Sequence, residues 1–94
     1  MESEELRSRL VRAASYLKGE GAQEVWLFGS QASGQATERS DVDLVVIGLS
    51  LDLYTEIVGT VRTIIGRPLD MVLMSKRQFD GFFIGQARSV RRLA

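Results

Sequence analysis

Apolar residues return along this chain with two periods, and the alternation between them predicts the order of its elements. Leu6, Leu10, Ala13, Ala14 and Leu17 recur at helical spacing and make one apolar face. Ser3 is a cap for that helix, and Glu4 and Glu5 in its first turn suit the positive end of the helix dipole. Gly19 and Gly21 end it. Val25-Trp26-Leu27-Phe28 is then a short apolar run that predicts a buried strand, with Trp26 and Phe28 in the core, and it stops at Gly29-Ser30. From Gln31 to Ser40 the chain is small and polar, with at most one helical turn around Gln31 to Ser33.

Asp41 to Ile47 predicts a second strand, rich in β-branched residues and closed by Gly48. Leu51 to Ile65 predicts a long helix with an apolar stripe of Leu53, Ile57, Val61, Ile64 and Ile65. Gly66 and Pro68 end it and open a third strand, Leu69 to Met74. Ser75 followed by Gln78 is a capping-box signal for a last helix running to about Arg92, with Phe79, Phe82, Phe83, Ile84, Ala87, Val90 and Leu93 as its apolar positions. These span more than one stripe, so part of this helix is either a partner interface or a crowded core. Arg88, Arg91 and Arg92 read as its solvated, basic end. The whole order predicts an α/β layer of helices over a small sheet. The second and third strands, joined through a helix, should be parallel with a right-handed crossover.

Composition narrows the chemistry. Ninety-four residues, 45% hydrophobic and 26% charged, suit a single domain over 1–94 with a modest core. There are no cysteines and no histidines, so a metal site must be built from oxygen, which selects hard cations such as Mg²⁺ or Mn²⁺. The formal net charge of zero argues against nucleic acid as partner or acceptor. No run of 18 apolar residues offers a membrane span, and the acidic start of the chain is unlike a signal peptide; a cytoplasmic protein is the expectation.

The chemistry gathers at Gly29-Ser30 and, ten residues further on, at Asp41-Val42-Asp43-Leu44. Carboxylates at i and i+2 of a strand point to one face, where they repel each other unless a cation lies between them. Asp70 stands inside the apolar run of the third strand and completes a three-carboxylate cluster if that strand lies beside the second. Such a cluster has the ligands for two divalent ions roughly 3.5–4 Å apart. Gly29 lets backbone approach a phosphate, and Ser30 donates to its oxygens. Together they describe phosphoryl or nucleotidyl transfer. Each piece also has a plainer reading: Asp41 and Asp43 as solvated acids at a strand entry, Gly29-Ser30 as an ordinary turn, Asp70 as a surface partner of Arg67.

Gly29-Ser30-Gln31-Ala32-Ser33-Gly34, five residues, then Ser40-Asp41-Val42-Asp43-Leu44 is similar at every spacing to the signature of the DNA polymerase beta-like nucleotidyltransferases, in their minimal single-domain branch. The resemblance covers nearly the whole chain. It implies a nucleotidyltransferase fold with a three-stranded mixed sheet in order 1-2-3 and about four helices. It also implies that Asp41, Asp43 and Asp70 bind two Mg²⁺ or Mn²⁺ ions, that Asp70 helps activate the acceptor hydroxyl, and that Gly29 and Ser30 hold the triphosphate of ATP or another nucleoside triphosphate. By the same resemblance the acceptor is a tyrosine hydroxyl of a HEPN-type helical toxin, with this chain as the antitoxin. The chain departs from many relatives in carrying Gln31 where they have Arg, and Ser33 where another basic residue is common. That departure keeps a second reading in view, a non-catalytic module that neutralises a helical partner by contact alone. Nucleobase and oligomeric state, a homo-oligomer included, stay open.

Overall fold

The computed structural model describes residues 4–29, 41–86 and 90–94. Helix α1 spans Glu4–Gly19 and strand β1 Glu24–Phe28. Strand β2 spans Val42–Ile47, and a 3-10 turn at Leu51–Leu53 leads into α2, Tyr54–Ile65. Strand β3 spans Leu69–Met74, α3 spans Lys76–Gln86 and a short β4 spans Val90–Arg92. The expected cap Ser3 and the segment from Gln31 to Ser40 lie outside the described residues, as do Ala87 and Arg88.

The sheet is mixed, in the order β3-β2-β1-β4. β1 runs antiparallel to both β2 and β4, and β2 runs parallel to β3 as the intervening helix predicts. One expectation needs correction: the sheet has four strands among the described residues where three were expected. Three α-helices and a 3-10 turn lie among the described residues. The last helix stops near Gln86, well short of Arg92, and the chain after it returns to the sheet beside β1. There the Leu93 amide donates to the Val25 carbonyl at 2.8 Å and the Val25 amide to the Ala94 carbonyl at 3.0 Å. An open edge on β1 offers unpaired backbone groups that a segment of extended chain satisfies, which outweighs any helical spacing of Val90 and Leu93. Arg91 and Arg92 are thus strand residues and do not form a helix end.

Alternation along the strands sends side chains to two different cores. Val25, Leu27, Val42, Leu44, Val46, Leu69 and Met71 pack under α1 and α2, against Leu10, Leu17, Ile57, Val61 and Ile65. Ile64 is half-buried and packs against this core, whereas Leu53 of the predicted α2 stripe is exposed, because the helix begins with a 3-10 turn that rotates it away. Gly66 ends α2 in the left-handed conformation at φ 73°, its amide donating to the Arg62 carbonyl.

On the opposite face Phe28, Val45 and Ile47 pack with Phe79 of α3. The predicted capping box starts α3 as drawn: the Gln78 amide donates to Ser75 Oγ at 3.1 Å, and the Ser75 amide to Gln78 Oε1 at 2.9 Å. Phe79 is buried, with ring centroids of Trp26 at 4.9 Å and Phe28 at 6.1 Å. Trp26 is half-buried, covered on one side by this contact. Glu24 fastens the elements around it: it accepts from Trp26 Nε1 at 2.9 Å, pairs with Lys76 Nζ at 3.3 Å and lies 3.8 Å from Arg92 Nη1. One carboxylate thereby ties α3 and β4 to β1. Helix α3 covers only part of this face and leaves the β3 side of it open, with Val72 47% exposed.

Candidate active site

The open part of that second face carries the acids. Asp43 on β2 and Asp70 on β3 are register partners on adjacent parallel strands, so their side chains leave the same face of the sheet side by side. Asp43 is half-buried and Asp70 exposed. Among the described residues no cation forms an ion pair with Asp70; the alternative partner, Arg67, is not bonded to it. Asp41 precedes β2 and is exposed to solvent.

Burial raises the Asp43 pKa above the ordinary aspartate value, and the negative charges of Asp70 and then Asp41 raise it further. The three acids therefore share one electrostatic field. Among the described residues, however, no three acidic side chains are drawn closely enough around one point to hold a single ion. Asp43 and Asp70 form a pair, while Asp41 stands at the strand entry and acts on Asp43 through charge.

Gly29 fits against this pair. It follows Phe28, the β1 register partner of Asp43, and turns the chain with φ 75°. A Cβ at this position would stand 2.8 Å from Asp43 Oδ2, so the carboxylate occupies the space that any other residue would fill. Backbone here approaches the acid as closely as a glycine allows. Ser30, the other residue expected to hold phosphate, lies outside the described residues.

These groups line a groove of about 370 Å³. Its polar end is Gly29, Asp43 and Asp70, and its apolar wall includes Val72, Met74 and Phe82. Phe82 is 40% exposed and leans edge-on against Phe28, with centroids 5.1 Å apart. Val72 and Met74 had drawn no functional reading from the sequence. The available signal was their spacing, since they follow Asp70 at i+2 and i+4 on a strand and so share its face. As a donor set, carboxylate oxygens beside a close-approaching backbone suit a hard divalent cation and an anionic ligand.

Comparison with known proteins bears on the family and the fold. Residues 13–89 match the family model described as polymerase beta nucleotidyltransferase. A solved structure assigned as a minimal nucleotidyltransferase is 29% identical, with a TM-score of 0.72 over 97% of this chain and 95% of that one. A toxin–antitoxin protein crystallised with AMP-PNP shares the fold, with a TM-score of 0.66 at 18% identity over 98% of this chain and 73% of that one. No curated protein matches the sequence. Among the described residues no helix is long and apolar enough to cross a membrane.

Proposed function

This chain belongs to the polymerase beta nucleotidyltransferase family, and from that premise we propose that it transfers a nucleoside monophosphate, AMP from ATP, to a hydroxyl group of a protein partner. The observation that carries the reading is the in-register pair Asp43 and Asp70 with the Gly29 backbone against it. An acceptor oxygen attacks the α-phosphorus, the bond from that phosphorus to the α–β bridging oxygen breaks, and pyrophosphate leaves. Asp70, the more exposed of the pair, takes the proton of the acceptor hydroxyl. Gly29 and Ser30 hold the triphosphate through backbone amides and the serine hydroxyl. Asp41, Asp43 and Asp70 are the residues that would hold Mg²⁺ or Mn²⁺. When bound, such ions neutralise charge on the triphosphate and lower the pKa of the attacking hydroxyl. Most of the rate then comes from positioning and electrostatics.

The fold also serves a toxin–antitoxin protein that was crystallised with an ATP analogue. This supports ATP as donor and a toxin as partner; a tyrosine of a HEPN-type helical toxin as acceptor is what the resemblance of the Gly29–Leu44 signature implies. The test is co-expression with such a toxin and mass spectrometry of the toxin. An added AMP that disappears with Asp41→Asn/Asp43→Asn is the expected result, and an unmodified toxin defeats the assignment. A second reading, neutralisation by contact alone, is favoured by one observation. Gln31 replaces a common Arg, and no Lys or Arg is among the described residues lining the groove. It predicts a neutralised toxin that carries no nucleotide.

A further inference from the structure

We infer, on the transferase reading above, that Asp43 and Asp70 hold one divalent ion in the nucleotide-free chain and that Asp41 becomes a metal ligand only once a triphosphate is bound. Backbone register separates the roles. Asp43 and Asp70 stand opposite each other on adjacent parallel strands, so their Cα atoms lie roughly 4.8 Å apart and their side chains leave one face. Asp41 is two residues from Asp43 along the chain, roughly 6.6 Å away at the rise of a strand. It also precedes β2, and the ladder to β3 that begins at Val42 does not fix its direction. The groove shows the same division. Asp43 and Asp70 line it together, and Asp41 is not among its described lining residues.

Both members of the pair are prepared for a cation. Asp43 is half-buried against the Gly29 backbone, where a Cβ would stand 2.8 Å from Oδ2, so its carboxylate has little freedom left to lose on binding an ion. Asp70 makes no ion pair with a described cation, Arg67 included, so no salt bridge has to break first. Side by side, the two carboxylates offer adjacent oxygen ligands to one hard cation, which removes the repulsion between them. Asp41 is exposed and has no acid opposite it in the ladder. Alone it offers one carboxylate to an ion that gives up its water reluctantly, and such ions are held by one or two carboxylates together with substrate phosphates. A triphosphate at the Gly29 turn supplies those oxygens, and Asp41 then shares an ion with the ligand.

Mn²⁺ titration followed by electron paramagnetic resonance counts bound ions and needs no turnover. Wild type, Asp41→Asn and Asp70→Asn are titrated alone and with an ATP analogue whose α–β bridge cannot be cleaved, the analogue by itself serving as blank. Both positions are exposed and the replacement keeps the side-chain shape, so the fold is retained; thermal unfolding in chelator checks this. We expect the wild type to bind one ion without the analogue and two with it. Asp41→Asn should keep the nucleotide-free ion within about twofold in affinity and lose the second. Asp70→Asn should weaken the nucleotide-free ion by at least about tenfold. Two ions bound without the analogue, or none, overturns the inference. So does nucleotide-free binding that Asp70→Asn leaves unchanged or that Asp41→Asn weakens equally. If the ions bind as expected while the co-expressed toxin carries no AMP, the transferase reading fails and the metal assignment stands. AMP transfer without this pattern of ions keeps the transferase reading and removes the inference.

Discussion

The Asp43 carboxylate occupies the space where Gly29 would carry a side chain: a Cβ there would lie 2.8 Å from Oδ2. One residue at the end of β1 thereby sets how close backbone comes to an acid of β2. The left-handed φ of 75° adds a second reason for glycine. Gly29→Ala should cost about 1–2 kcal/mol for that φ alone, and the shifted Asp43 should lower nucleotidyl transfer further. Gly29→Val should bind ATP more weakly still. Chemical denaturation and a fluorescence titration with ATP check both, and wild-type ATP affinity in Gly29→Val would remove the loop from the phosphate site.

Asp43 lies beside Asp70 with Asp41 close enough to raise its pKa, so the metal-free chain carries repulsion that a cation relieves. Asp41→Asn/Asp43→Asn should abolish Mg²⁺ or Mn²⁺ binding and leave the metal-free domain as stable as wild type or more so. Isothermal calorimetry with each metal, alongside thermal unfolding in chelator, reads the two effects separately. Undiminished metal binding by the double variant would contradict the assignment of these acids.

Glu24 titrates in the opposite sense. The Trp26 indole bond lowers its pKa most; burial opposes this, and Lys76 and Arg92 add to the lowering. A carboxyl whose folded pKa lies below its ordinary value of 4.5 stabilises the fold above that pH. The contribution is lost as pH falls from there through the lowered value. Glu24→Gln should therefore destabilise the chain by about 0.5–1 kcal/mol near neutrality. It should also flatten the acid side of its stability curve. Urea denaturation across pH 3 to 7 (roughly the window of carboxylate titration) tests this, and parallel wild-type and variant curves would refute it.

Phe79 and Phe82 are neighbours on α3 with different duties. Phe79 is buried between Trp26 and Phe28, and Phe79→Ala should cost about 3–5 kcal/mol. Phe82 is 40% exposed in the groove and touches Phe28 by one edge, so Phe82→Ala should cost about 0.5–1.5 kcal/mol. Phe82→Asp should likewise fold and lose affinity for the helical partner. Equal losses of stability at the two positions would show that Phe82 belongs to the core.

Local rules made much of this molecule legible in advance. The capping box of Ser75 and Gln78, the left-handed Gly66 at the end of α2 and the alternation in β2 depend on residues close in sequence, and short-range hydrogen bonding and sterics decide them. The period of a strand also predicts a shared face for Asp41 and Asp43, but β2 begins only at Val42 and Asp41 stands before it. What only the tertiary structure decided involves partners far apart in sequence. Val90 to Arg92 joined the sheet because β1 offered an unpaired edge, and no local pattern in those residues announces that edge. Asp70 reached Asp43 because β3 paired parallel to β2 in one register; a slip of one residue would have turned it to the buried face. Leu53 and Phe82 stayed exposed because the turn before α2 and the partial cover of α3 left them outside both cores. Hydrophobic periodicity tells which side chains seek burial, while burial itself depends on how much surface the other elements have to offer.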